Sequence, residues 1–331
     1  MYSQILVPLD GSELAEQVLP YVQQIAQGLK IPLEFLRVIE PVNPEMAGVA
    51  YRSGVAPYPA TAESAGARST TPISSPHGPY LDQIVASQRS HAQDYLDRLT
   101  TVARQAGLVV STSVHEGSPA HYIVEEAQKK PTTLIAMTTH GRSGITRWML
   151  GSVTDKVLHA TTNPLLVVRP QDYLGTKGEM KFSSVIVPLD GSDVAEQVLP
   201  HVVSLTKALS LKVILVRVTP SAADYYRYME YSIGPYQDYS KEVDAGAAEY
   251  MHGIRQRLQV QKIASVEERL LHGNPAAAIV DLAKEGTDNL VAMTTHGRSG
   301  VGRWVLGSVA DRVVRHSGAP VLMVHAREAV S

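Results

Sequence analysis

The 331-residue chain has no cysteine, which excludes disulfides, thiol catalysis and cysteine-ligated metals. It has no excess of either charge: 30 Lys and Arg stand against 32 Asp and Glu, a net charge of −2. Such a balance provides no electrostatic footprint for DNA, RNA or an anionic membrane. No run approaches 18 uninterrupted apolar residues, so no transmembrane helix is expected. The opening MYSQILVPLDGSE has no basic n-region, and a proline and an acid interrupt its apolar run, so it does not read as a signal peptide. With the missing cysteine, this sets the expectation of a reducing, cytoplasmic location. Several catalytic strings are also absent. There is no G-x4-G-K-[ST], and the first apolar run is followed by Asp-Gly-Ser rather than G-x-G-x-x-G. GRSGI and GRSGV fail the last position of G-x-S-x-G. Twelve histidines are present, but no H-x3-H helical pair lies near the candidate site, and no metal site is expected.

What is present is a repeat. ILVPLDGSELAEQVLP from Ile5 returns 180 residues later as VIVPLDGSDVAEQVLP. MTTHGRSGITRWMLGS from Met137 returns 156 residues later as MTTHGRSGVGRWVLGS. The first copy is therefore 24 residues longer, and the surplus falls near residues 47–80, a stretch rich in Pro, Gly, Ser, Ala and Thr. That composition cannot bury enough apolar surface to offset chain entropy, so a surface loop is expected there, as a tolerated insertion or as a lid or binding arm. Residues 170–181 read as a linker between a first domain, 1–170, and a second, 181–326.

Each copy alternates strand and helix patterns. In the first, strands are expected at 4–9, 33–39, 108–114, 133–137 and 165–168. Helices are expected at 83–106, 120–129 and 153–159, and another begins at Ser12, with Leu14, Val18, Val22, Ile25 and Leu29 at helical spacing. Regular alternation with mostly apolar strands implies an α/β fold, a parallel sheet covered by helices on both faces, built twice.

In such sheets, ligands sit beyond the carboxyl ends of the strands, where strand order reverses. Asp10 closes the first strand, and the loop from Thr138 follows the fourth. A carboxylate accepts hydrogen bonds and suits ribose hydroxyls, although Asp-Gly-Ser is also ordinary turn chemistry. Gly141 and Gly144 permit close backbone approach to a ligand. Gly151-Ser152 opens a helix, and SVTD and SVAD match the capping-box pattern. A helix start favours an anion, and Arg142 and Arg147 add charge. Sugar on one side and phosphate on the other point to a nucleotide. The same glycines and serine also serve any sharp strand-to-helix connection, and Trp148 and Trp304 fit packing of the loop. The two loop copies agree at 14 of 17 positions from Ala136 and Ala292, as a shared site or a duplication would require.

These blocks resemble the ATP-binding branch of the universal stress protein family, whose signature is G-x2-G-x9-G-[ST]. The match is Gly141, nine residues, Gly151-Ser152, and again Gly297, nine residues, Gly307-Ser308. VPLDGS, LRVIEP and VRVTP, EGSPAHYIVEEA and HGNPAAAIVDLA extend the resemblance over nearly the whole chain. It implies two tandem open five-stranded parallel sheets of order 3-2-1-4-5, paired like a dimer through their last strands. It also implies ATP or a related adenine nucleotide in each domain, with Mg2+ as an accompanying ion. Carried over by position, Pro8 with Asp10 and Pro188 with Asp190 belong to the ribose side. Val38 and Val218 line the adenine pocket, with Met137 and Met293 near base or ribose. His140, Gly141, Arg142, Gly151, Ser152, Val153 and Thr154 belong to the phosphate side of the first copy. His296, Gly297, Arg298, Gly307, Ser308 and Val309 do so in the second, where Ala310 replaces Thr154. The signature's first glycine is Thr138 in one copy and Thr294 in the other, a departure that crowds the nucleotide. The resemblance implies a cytoplasmic stress-response protein regulated by nucleotide, with an unnamed protein partner and room for a further homodimer. A scaffold that binds no nucleotide and a slow ATPase remain alternatives; no residues for efficient turnover are evident.

Overall fold

The computed structural model describes residues 1–41, 78–140, 150–170, 181–224, 236–297 and 306–326. The expected linker, most of the expected insertion, and Gly141, Arg142, Gly144, Arg147, Trp148, Arg298 and Trp304 lie outside the described residues.

The first half runs β1 (Gln4–Pro8), α1 (Glu13–Glu16), α2 (Leu19–Leu29), β2 (Leu33–Ile39), α3 (Gly78–Gln105), β3 (Val110–Glu116), α4 (Pro119–Gln128), β4 (Thr133–Thr138), α5 (Ser152–Ala160) and β5 (Leu165–Val168). The second repeats the series as β6 (Ser184–Pro188), α6 (Asp193–Glu196), α7 (Leu199–Leu209), β7 (Lys212–Thr219), α8 (Tyr236–Val260), β8 (Val266–His272), α9 (Pro275–Ala283), β9 (Asn289–Thr294), α10 (Ser308–His316) and β10 (Val321–Val324). Three expectations need correcting. The helix expected from residue 83 begins at Gly78, so the last residues of the loop expected near 47–80 are helical. The single helix after Ser12 is two, because the chain turns at Val18 and Pro20 falls in the first turn of α2, where its missing N–H is harmless. β3 begins and ends two residues later than its apolar pattern suggested.

Each half has the strand order 3-2-1-4-5, but the two sheets are one. The ten-stranded order is β3-β2-β1-β4-β5-β10-β9-β6-β7-β8. All pairings are parallel except β5 with β10, which run antiparallel with Leu166 opposite Leu322. The reason is legible in these strands. LLVV and VLMV are apolar at every position and buried at every position, so an open edge there would expose both unpaired amides and apolar faces.

Side chains alternate between two cores, each continuous across both halves. Ile5 and Val7 join α2, α3 and their counterparts on one face. Leu6, Ile135 and Met137 join α4, α5 and their counterparts on the other. The seam on the first face repeats two sequence positions in exchange: Tyr2 bonds His201 at 2.7 Å, and Tyr21 packs on Phe182 at 5.0 Å between ring centroids. The fold thus pairs β1 with β4 and β6 with β9, with their carboxyl ends on two crevices.

Candidate functional site

Strand order reverses between β1 and β4, where Ile5 faces Leu134 in register; β6 and β9 repeat this. Asp10 and the loop after β4 therefore share a crevice at the switch point of the sheet. The turn that carries the acid is built tightly. Gly11 and Gly191 have φ of +79° and +80°, a region that disfavours any side chain. Asp10 Oδ1 accepts from the Ser12 amide at 3.0 Å and its hydroxyl at 2.6 Å. Ser12 Oγ in turn accepts from Ala15 N and caps α1. Asp190 and Ser192 reproduce these contacts at 3.0 and 2.5 Å. The acid therefore organises its turn and also faces the loop: a Cβ placed on Gly297 would lie 2.1 Å from Asp190 Oδ2.

The helix start differs from the expected capping box by one residue. Gly151 and Gly307 are the N-caps, and Ser152 and Ser308 are the first helical residues and cap nothing with their side chains. The Gly151 amide donates to Thr139 O at 2.8 Å, and that of Gly307 to Thr295 O at 2.9 Å. Glycine is needed because a Cβ would meet those same carbonyls at 2.7 and 3.0 Å. The amides of Ser152, Val153 and Thr154, which precede the first intrahelical bond from Asp155 N to Gly151 O, have no intrahelical acceptor. Thr138 and Thr294 are buried and donate to the carbonyls of His140 and His296 at 2.7 and 2.6 Å. Their hydroxyls pin the start of the loop. Thr154 Oγ1 donates to Thr138 O at 2.8 Å, so its hydroxyl serves the backbone. Burial lowers the pKa of His296, so its imidazole favours the neutral form.

The first crevice, about 840 Å³, is lined by Pro8, Asp10, Val38, Met137, Thr138, His140, Gly151, Ser152, Val153 and Thr154. The second, about 710 Å³, is lined by Pro188, Asp190, Val218, Met293, Thr294, His296, Gly297, Gly307, Ser308 and Val309. Every expected site residue that is described therefore comes together. Volumes of this order are typical of small-molecule sites.

The family model described as the universal stress protein family matches residues 1–169 and again 181–325. The chain belongs to the universal stress protein family. A universal stress protein of Mycolicibacterium smegmatis is 25% identical over 261 residues, covering 77% of this chain and 84% of that one. One from Methanocaldococcus jannaschii is 29% identical over 155 residues, covering 44% of this chain and 84% of its own length. In fold, the chain is similar to a universal stress protein from Archaeoglobus fulgidus, with a TM-score of 0.64 at 20% identity, covering 98% of this chain and 99% of that one.

Within this family frame, both crevices contain residues that the motif reading did not single out. Arg37 and Arg217 line them from β2 and β7, and Tyr95 and Tyr250 from α3 and α8. Each guanidinium lies over its tyrosine ring, at 6.0 and 5.8 Å. Burial raises the pKa of both phenols. A signal existed: FLRVI and LVRVT each break an apolar strand with an arginine at the same place. The crevice walls also differ between halves. α3 presents Gln88, His91 and Arg98, whereas α8 presents Glu242, Val243 and Gly246. No helix among the described residues is long and apolar enough to cross a membrane.

Proposed function

We propose that each half binds an adenine nucleotide, ATP or a close relative, and that occupancy regulates a stress response in the cytoplasm through a protein partner. The observation that carries this reading is one crevice, built twice, that combines three unlike surfaces. A carboxylate turn suits ribose hydroxyls, an apolar wall of Val38 and Met137 suits a base, and helix-start amides suit phosphate. The second half matches with Asp190, Val218 and Met293. An accompanying Mg2+ would take phosphate oxygens and water as most of its ligands.

The test is calorimetric titration with ATP. Asp10→Ala with Asp190→Ala removes acceptors of charged hydrogen bonds, a loss of about 1.5–3 kcal/mol or roughly ten- to a hundredfold in affinity. Mass spectrometry of small molecules released on denaturing the purified protein provides an independent check. No ATP binding at millimolar concentration, and no nucleotide released, would leave a scaffold that works through protein contacts. Phosphate release over hours would identify a slow ATPase.

A further inference from the structure

A buried cation in the middle of an apolar strand needs a reason, because removing a guanidinium from water costs several kcal/mol unless it is well partnered. Arg37 is 7% exposed and follows Phe35 and precedes Ile39 on the same, otherwise apolar, face of β2. An aliphatic residue would simply continue that core. What the arginine does instead is span the turn that bears the acid. Arg37 Nη1 donates to Leu9 O at 3.1 Å, and Arg217 Nη1 to Leu189 O at 3.2 Å, in each case the residue before the acid. On the other side of the acid, a Cβ on Gly191 would lie 3.0 Å from Arg217 Nη1 and 3.4 Å from its Cζ, so the guanidinium packs on that backbone.

The outer face of each guanidinium is covered by Tyr95 or Tyr250. Tyr250 donates to Glu196 Oε1 at 3.0 Å, in the helix that the turn starts. Burial raises both phenols most, and the neighbouring carboxylate of Glu16 or Glu196 raises them further. The guanidinium reaches the carbonyl just before the acid in each half, and in the second also the glycine just after it.

We propose that Arg37 and Arg217 are positioning residues of the two nucleotide sites, each acting through the acid of its own turn, Asp10 or Asp190. Each guanidinium holds the carbonyl before the acid, that of Arg217 also packs on Gly191 after it, and the carboxylate is thereby kept aimed into the crevice. This rests on the nucleotide reading above.

The experiment is a double-mutant cycle read by ATP titration of the full chain, with folding checked by thermal unfolding. One arm is Arg37→Met with Arg217→Met, the second is Asp10→Asn with Asp190→Asn, and the third combines them. The expected result is a loss of about tenfold from the arginine pair alone and no further loss once the acids are gone. Arg37→Lys with Arg217→Lys should recover part of the affinity, since charge returns but the planar fork does not. Equal losses in both acid backgrounds would overturn the assignment, because the arginine would then touch the ligand or merely support the scaffold. Should the methionine pair not fold, the lysine pair takes its place in the cycle with the same criterion. Wild-type protein that binds no ATP overturns the nucleotide reading and this assignment with it; bound ATP with multiplicative losses overturns the assignment alone.

Discussion

Gly297→Ala isolates the closest approach in the second crevice. A methyl carbon there would sit 2.1 Å from Asp190 Oδ2 and 3.1 Å from its Cγ, against ordinary carbon contacts of about 3.5–4 Å. The overlap exceeds an ångström, so something must move. The acid cannot simply swing aside, because its Oδ1 is held by the Ser192 amide and hydroxyl at 3.0 and 2.5 Å. Either those bonds break, with an off-rotamer side chain costing about 1 kcal/mol, or the loop retreats and takes the phosphate side with it. Both routes remove the acid from its place, so ATP affinity at this site should fall by about the value of a charged hydrogen bond, roughly ten- to a hundredfold. In an Asp10→Ala background the second site is the tighter of the two, so calorimetry there reads whether Gly297→Ala abolishes that tight phase, and circular dichroism confirms the fold. An affinity unchanged within about twofold, in a folded protein, would refute the argument that Gly297 and Asp190 frame one ligand.

Three further outcomes follow from the same geometry. Gly28→Ala should destabilise by about 1–3 kcal/mol through overpacking, despite alanine's better helix propensity, since a Cβ would lie 2.5 Å from Leu209 Cδ2 and 2.8 Å from Ala208 O across the seam; an unchanged or raised urea midpoint would show that α2 and α7 do not meet there. Ser152→Ala with Ser308→Ala should change stability by less than about 0.5 kcal/mol, because neither serine makes a side-chain cap; a loss near 1 kcal/mol in thermal unfolding would restore the capping box. Burial lowers the pKa of His201 from 6.5 to about 4, so the unfolded chain binds the extra proton first as pH falls. Stability is then complete above pH 6.5 and declines toward pH 4, by at most about 3 kcal/mol from this group. Tyr2→Phe with His201→Tyr, which copies the Phe182 and Tyr21 pair, should flatten that part of the urea midpoint-versus-pH curve; an equally steep curve would assign the loss elsewhere.

The duplication, the strand and helix alternation and the order of functional blocks are properties of the chain itself, because they depend on local spacing: period and punctuation are visible one residue at a time. The same holds for Asp10 and the helix start after β4, since a parallel alternating pattern sends both to the carboxyl end of the sheet. Even so, the N-cap fell one residue early. The strand-end carbonyl of Thr139, which takes the Gly151 amide, comes from a contact that spacing does not report. The family resemblance implied pairing through the last strands, LLVV and VLMV, and only the tertiary structure decided that they join edge to edge as an antiparallel pair within one ten-stranded sheet. The roles of Arg37 and Arg217 were out of reach for a related reason. A charge inside a strand is costly or useful according to what lies across from it, and here that is a turn 28 residues earlier in the chain. Sequence states which surfaces must leave water; the shapes and dipoles they meet are settled by packing in three dimensions.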